Sequence, residues 1–412
     1  MIFSELKLPA VADMVKKHKL SFGPGFLVTA AFIGPGTITS CSLAGANFGY
    51  SLIYALIFAV VMTLILQEMT GRLSLGSGRD LGQSLREFPK NPLTKLLFAI
   101  LTLSAIAFGC AAYEAGNIIG GSLGLEMVTA VPQKIWVAII SAISIFVLSR
   151  GKYSIIEKLL ISLVFLMSIS FLATFIIIKP DISAIFKGFI PSFPDGSLML
   201  VLALVGTTVV PYNLFLHSSS VKEKWSSPKN LKDIRRDLLV AICLGGMISI
   251  SVVVTSAVAF NQAGIVVEKG IQLAQQLKPL FGGLTNILFG LGFFAAGMSS
   301  AITAPYAAAF ASSGILGWEG GQNSPKFKGI WLVVILAGFI VSLFGFDPLA
   351  VIIFAQVANG LILPIASIFL LVILNNRKHM GTLTNNWKQN ILGGLVILAV
   401  SFLGIWNIVQ RF

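Results

Sequence analysis

The chain has 412 residues, 56% of them hydrophobic and only 11% charged, with a mean hydropathy of +0.90 and a net charge of +13. A water-soluble domain carries about a quarter charged residues, so the outer surface of this chain must face lipid. No phosphate-binding loop, His-Glu-x-x-His motif or nucleophile elbow occurs, which with three histidines leaves an enzyme without support, and no cofactor is expected.

Residues 1–23 hold Lys7, Lys16, Lys17 and Lys19 and no short apolar region with a cleavage site, so no cleavable signal peptide is expected. Apolar runs long enough for a bilayer helix then follow near 24–47, 50–71, 96–120, 135–149 and 155–178. They continue near 197–218, 238–260, 281–315, 329–346, 348–374 and 390–409, which makes eleven spans. The fourth is short, and the eighth, long and containing Pro305, has room for a re-entrant piece. Cys41, Cys110 and Cys243 fall inside these runs without metal-type spacing and read as small buried side chains.

The basic residues set an orientation. With the N-terminus inside, 23 of the 29 Lys and Arg fall on the cytoplasmic side, six of them in the 218–237 loop. Lys134, Lys179, Lys187, Lys269, Lys278 and Arg411 are left outside. This asymmetry follows the positive-inside rule and accounts for the positive charge without a nucleic-acid partner. The expectation is an inner (plasma) membrane protein with a cytoplasmic N-terminus and an external C-terminus.

Span 1 contains "AFIGPGTIT", in which Gly34, Pro35 and Gly36 should break a helix. Span 6 contains "TTVVPYN", broken around Pro211. These spans open two five-span sets, and an odd number of spans gives the sets opposite orientation. Unwound backbone at membrane depth is tolerated only where protein, water or a ligand satisfies its polar groups. Paired breaks in matching spans therefore point to a site at the midplane. A plain proline kink is the alternative, but both breaks lie beside polar residues: Thr37 and Thr39 in one, Thr207, Thr208, Tyr212 and Asn213 in the other.

Other polar groups lie inside the runs. Glu114 in span 3 is costly there unless paired or neutral, which marks it for proton handling or ion binding. Glu68, four residues before Arg72, reads as a local ion pair at the membrane face, with gating as the lesser option. His217 suits proton release or gating by its ordinary pKa, or serves only to hydrogen-bond a neighbour. Gln356 and Asn359 share a face of span 10 and offer amide oxygens to a hard cation, or bond between helices. Ser299, Ser300 and Thr303 read as packing residues beside Gly297.

At these residues the chain resembles the Nramp family of proton-coupled divalent-metal transporters. "GPGFLVTAAFIGPGT", "LQEMTGRLSLGSGRDLGQSLRE", "PSFPDGSLMLVLALVGTTVVPYNLFLHSS", "AAGMSSAITAPYAAAF" and "AQVANGLILPIASIFLLVIL" resemble its spans 1, 2, 6, 8 and 10. The resemblance implies an all-α integral membrane protein with a LeuT-type inverted repeat of five plus five helices and one more. Its expected parts are a cytoplasmic segment 1–23, repeats 24–178 and 179–374, and a loop with the eleventh helix at 375–412.

The family binds metal through Asp-Pro-Gly-Asn in span 1 and Met-Pro-His in span 6. Here Gly34 stands at the Asp, Thr37 at the Asn, Val210 at the Met and Tyr212 at the His, while Pro35, Gly36, Pro211 and Asn213 keep the pattern. Glu114 matches an acid of the family's proton path, Asn117 replaces a second one, and His217 matches a histidine implicated in proton release or gating. Gln356 matches a position that completes the metal shell.

The expected substrate site is thus Gly34, Thr37, Thr207, Val210, Tyr212, Gln356 and Asn359, with Thr37, Thr207 and Gln356 as metal ligands. Glu114, Asn117, His217 and Glu68 form the expected proton path or gate. With no thioether and no carboxylate at the break, the expectation shifts from soft metals towards a partly hydrated divalent cation such as Mg2+, moved with or without H+. The alternatives are a carrier of a small neutral or organic solute, and a non-transporting sensor derived from the family.

Overall fold

The computed structural model describes residues 23–409 apart from 89–90, 130, 151–153, 226 and 319–320, and its regular structure is helical throughout. The expected N-terminal segment before residue 23, and Lys90, Lys152 and Arg411, lie outside the described residues. Among the described residues nine helices are long and apolar enough to cross a bilayer, and a bent pair makes a tenth. The eleventh predicted place is taken by Trp387–Val409, apolar over Trp387–Leu403.

Span 1 is the bent pair, Pro24–Phe32 and Pro35–Phe48, which meet at 58°. Spans 2 to 5 are Ile53–Ser77, Pro92–Thr129, Gln133–Arg150 and Ser154–Ile178. Span 6 is Leu198–Thr208 followed by Pro211–Lys224, and spans 7 to 10 are Leu231–Ser256, Thr285–Leu316, Pro325–Leu343 and Pro348–Leu374. The chain is an integral membrane protein: Leu93, Phe146, Ile176, Val333 and Leu398 are exposed on its outer helices, as lipid contact requires.

Two sequence readings need correction. Span 8 has no re-entrant piece: it is one continuous helix with Pro305 inside, preceded by a short turn of helix over Gly270–Leu277. Its small residues explain the tolerance. Gly297 lies against the backbone of Gly121, and Gly290 against Gly124, so spans 3 and 8 approach at backbone distance and support the helix by packing. Of the cysteines, Cys41 and Cys110 are buried, but Cys243 is only half-buried on span 7.

Both ends of span 1 are tied to span 7 or the turn that follows it. At the Pro24 end, the Gly23 and Gly25 amides donate to the Asp237 carboxylate at 3.1 and 2.7 Å. The carboxylate meets the unpaired amides and positive end of the first half-helix. At the Phe48 end, Ser256 Oγ donates to the Ser42 carbonyl at 2.5 Å and, just beyond span 7, Asn261 Nδ2 to the Ala46 carbonyl at 3.1 Å. Gln276 Nε2 adds a bond to Ser42 Oγ at 2.8 Å. We expect Asp237→Ala to lower stability by about 1 kcal/mol, the worth of a helix N-cap, and Asp237→Asn by less. Melting temperatures of the purified proteins check this; equal melting of all three would discount the tie.

Candidate functional site

The first half of span 1 ends at Phe32, Ile33 leaves the helix, and Gly34 is extended at φ −122°, ψ −174° before Pro35 restarts the helix. Pro35 fits there because the first residue of a helix has no amide partner to lose. Gly34 has a backbone conformation open to any residue, and a Cβ there would stand 3.0 Å from Ser300 Oγ, which can rotate aside, and 3.8 Å from the Tyr113 hydroxyl. In span 6 the helix stops at Thr208, Val209 and Val210 are non-helical, and Pro211 restarts it. The residue before a proline is driven out of the helical region, which places the stop.

One contact joins the two breaks. Thr37 Oγ1 and Thr207 Oγ1 are 2.7 Å apart, and the Thr37 hydroxyl also donates to the Phe32 carbonyl. Thr37 thus closes the end of the first half-helix and links it to span 6. Gly36 lies directly against the side-chain amide of Gln356, and Gly206 against the Gln356 carbonyl and the Gly360 amide. The structure therefore brings together Gly34, Gly36, Thr37, Thr207 and Gln356 from three spans.

Tyr212, at the start of the second half of span 6, packs edge-on against Tyr113 with ring centroids 5.6 Å apart. Val210 is buried and supplies its backbone carbonyl to the Asn213 amide at 3.0 Å. Gln356 Nε2 bonds the Ile352 carbonyl at 3.3 Å, and its Oε1 has no partner. Asn359 is buried one turn on, its Nδ2 unpartnered.

The residues expected to handle protons are spread more widely. Glu114 is fully buried on span 3, but its Cγ lies against Gly338 of span 9, turned from the break that its neighbour Tyr113 faces. Asn117, one turn on, is the side chain that approaches it. His217 is buried against span 2, with Nδ1 2.9 Å from Thr70 Oγ1 and Nε2 unpartnered. Glu68 forms the expected pair with Arg72 at 3.1 Å and a second one with Arg235 of span 7 at 2.6 Å.

Two residues of the site escaped the sequence reading. Ser300, read as a packing residue, faces Gly34 across the break. Tyr113 does so from span 3 and stacks on Tyr212. A tyrosine and a serine in apolar runs give little periodic signal, and only the crossing of spans 3 and 8 beside span 1 selects them.

The site offers neutral groups. Among the described residues no cluster of three or more His, Cys, Asp or Glu side chains exists. Both side-chain polar atoms of Asn213, Gln356 Oε1 and Asn359 Nδ2 are buried without a hydrogen-bond partner, and the Tyr113 and Tyr212 hydroxyls have only each other. Leaving each such atom unpaired costs roughly 1–3 kcal/mol.

Two broken helices meeting between packed spans define a membrane protein of the LeuT-type inverted-repeat fold. The solved structures agree: Mhp1, a nucleobase-cation-symport-1 family transporter, covers 95% of this chain at a TM-score of 0.61 and 15% identity, with 94% of its own chain covered. The manganese transporter of Eremococcus coleocola matches at a TM-score of 0.78 and 22% identity, over 94% of this chain and 86% of that one. The chain belongs to the family described as natural resistance-associated macrophage protein-like (Nramp), which it matches over residues 25–410. Among curated relatives, the divalent metal cation transporter MntH of Nostoc sp. is 29% identical over 99% of this chain and 95% of its own length. That of Deinococcus radiodurans is 27% identical over 94% and 89%. These relatives are transporters, not enzymes.

Proposed function

We propose that this chain is a secondary transporter of a divalent cation, which it takes at the paired breaks with part of its water shell, Mg2+ being the favoured ion. Family membership and the metal-transporting relatives support a divalent-cation carrier. The observation that carries the finer reading is that the groups facing the first break are the neutral hydroxyls of Ser300 and Tyr113 and the side-chain amide of Gln356, where the family has a carboxylate. Hydroxyl and amide oxygens suit the waters of a hard ion that dehydrates reluctantly. They serve a bare soft metal poorly, having neither thioether nor charge.

Reconstituted protein in liposomes should take up Mg2+ above protein-free vesicles, with Mn2+ at no more than the Mg2+ level. Mn2+ uptake well above Mg2+ would overturn the Mg2+ reading; no flux of either would overturn the cation reading itself. The edge-on Tyr113–Tyr212 pair beside the breaks favours a second reading, a carrier of a small organic solute, and absence of cation flux would move weight to it.

Coupling to protons belongs to the same proposal, with Glu114 as the intramembrane acid and His217 and Asn117 along the path. An outward-acid gradient is expected to raise cation uptake severalfold, and Glu114→Gln to abolish that dependence while uptake at equal pH persists. A gradient response unchanged in the variant would remove Glu114 from the path. The proposed setting is an inner (plasma) membrane, N-terminus cytoplasmic and C-terminus external, supported by the basic residues of the 218–237 loop.

A further inference from the structure

Spans 2 and 7 and the helix Trp387–Val409 enclose a groove of about 380 Å3, lined by none of the residues of the two breaks. Its walls are apolar, and Leu239 and Leu392, 55% and 48% exposed, open it onto the lipid-facing surface. Its polar end is built from Glu68, Arg72, Arg235 and Gln389.

The charges at that end do not balance. Glu68 gives one oxygen to Arg72 and the other to Arg235, so a single carboxylate faces two guanidinium groups. Arg72 is 2% exposed; its Nη1 donates to the Leu383 carbonyl and to Asn385 Oδ1, while Nη2 has no partner. The neighbouring acids of span 7 are engaged elsewhere, Asp233 with Asn230 Nδ2 and Asp237 with the amides of Gly23 and Gly25. Lys232 and Arg236 add positive charge on the same turn of helix. A buried guanidinium with an unmet donor and a surplus positive charge is stabilised by an anion.

We propose that this groove binds an anionic phospholipid. Its phosphate lies against Arg235 with Arg72 behind, and one acyl chain lies along Leu239 and Leu392. A free phosphate would occupy the polar end alone and leave the apolar length uncovered. With the 218–237 loop on the cytoplasmic side, the groove opens to the leaflet that carries anionic lipid, where basic pockets between spans hold such headgroups.

The test is lipid retention by purified protein in native mass spectrometry, after exchange with equal amounts of phosphatidylglycerol, phosphatidylethanolamine and phosphatidylcholine. Phosphatidylglycerol is expected to be retained preferentially. Arg235→Gln should weaken it about fivefold, the worth of one basic side chain near an anionic surface. Leu392→Trp should weaken it by filling the groove, with no change in charge. Both sites are about half exposed, so both variants should melt as the parent does. Equal retention of the three lipids, or unchanged phosphatidylglycerol retention in both variants, overturns the proposal. Inorganic phosphate should not raise the melting temperature; a rise matching that from phosphatidylglycerol would overturn the assignment to lipid.

Discussion

Gly34→Asp is expected to raise Mn2+ uptake by about 10- to 100-fold over the unmodified protein in the liposome assay. The position accepts the change. Its extended backbone suits any residue, and the one close neighbour of an added Cβ is Ser300 Oγ at 3.0 Å, a hydroxyl that moves by rotating its side chain. The new carboxylate would enter a site whose oxygen and amide groups are all neutral, bringing the negative charge that a bare Mn2+ ion needs. A hydrogen-bonded or ligating interaction with a charged group is worth roughly 1.5–3 kcal/mol, which is the source of the range. Adding Val210→Met should raise preference for Mn2+ over Mg2+ further through a soft thioether. Equal Mn2+ uptake with and without the aspartate would show that the missing charge does not set selectivity here.

Gly206→Ala is expected to destabilise the protein by several kcal/mol and to abolish uptake, although it adds one methyl and improves helix propensity. An added Cβ would run into the backbone carbonyl of Gln356 and stand 2.8 Å from the Gly360 amide. Both are span 10 backbone, which cannot rotate aside as Ser300 can, so span 10 would be pushed from the break and take Gln356 with it. Overpacking of this kind costs about 1–3 kcal/mol where side chains yield, and more where they do not. The control is Gly394→Ala in the last helix, which meets nothing within 4 Å. It should stabilise by up to about 1 kcal/mol through propensity alone. Thermal melts of the two variants side by side decide the matter, and similar melting temperatures would remove the close approach of spans 6 and 10 from the account.

Much of the fold was legible because a bilayer imposes a one-dimensional rule. A helix must be about 20 apolar residues long, and its basic flanks accumulate on one side. Both broken spans could be read from Gly34-Pro35-Gly36 and Pro211, because a proline lacks an amide donor and drives the residue before it out of the helical region. Glu68 with Arg72 was legible from spacing alone, and the pair is present at 3.1 Å. Pro305 misled because local sequence does not reveal that Gly121 and Gly297 bring span 3 close enough to hold span 8 as one helix.

The amino-acid sequence by itself determined that this is a membrane-spanning chain, where its helices run, which two are interrupted, and that the break lacks a carboxylate and a thioether. Those properties depend on residue type and on spacing within one turn or one span. Only the tertiary structure decided what surrounds the break: that Ser300 and Tyr113 face Gly34, that Thr37 reaches Thr207, and that Glu114 turns towards Gly338. These are contacts between helices far apart in sequence. Their geometry follows from small residues that let backbones approach and from the rotation of each helix about its axis, which apolar runs hydrophobic on every side leave unspecified.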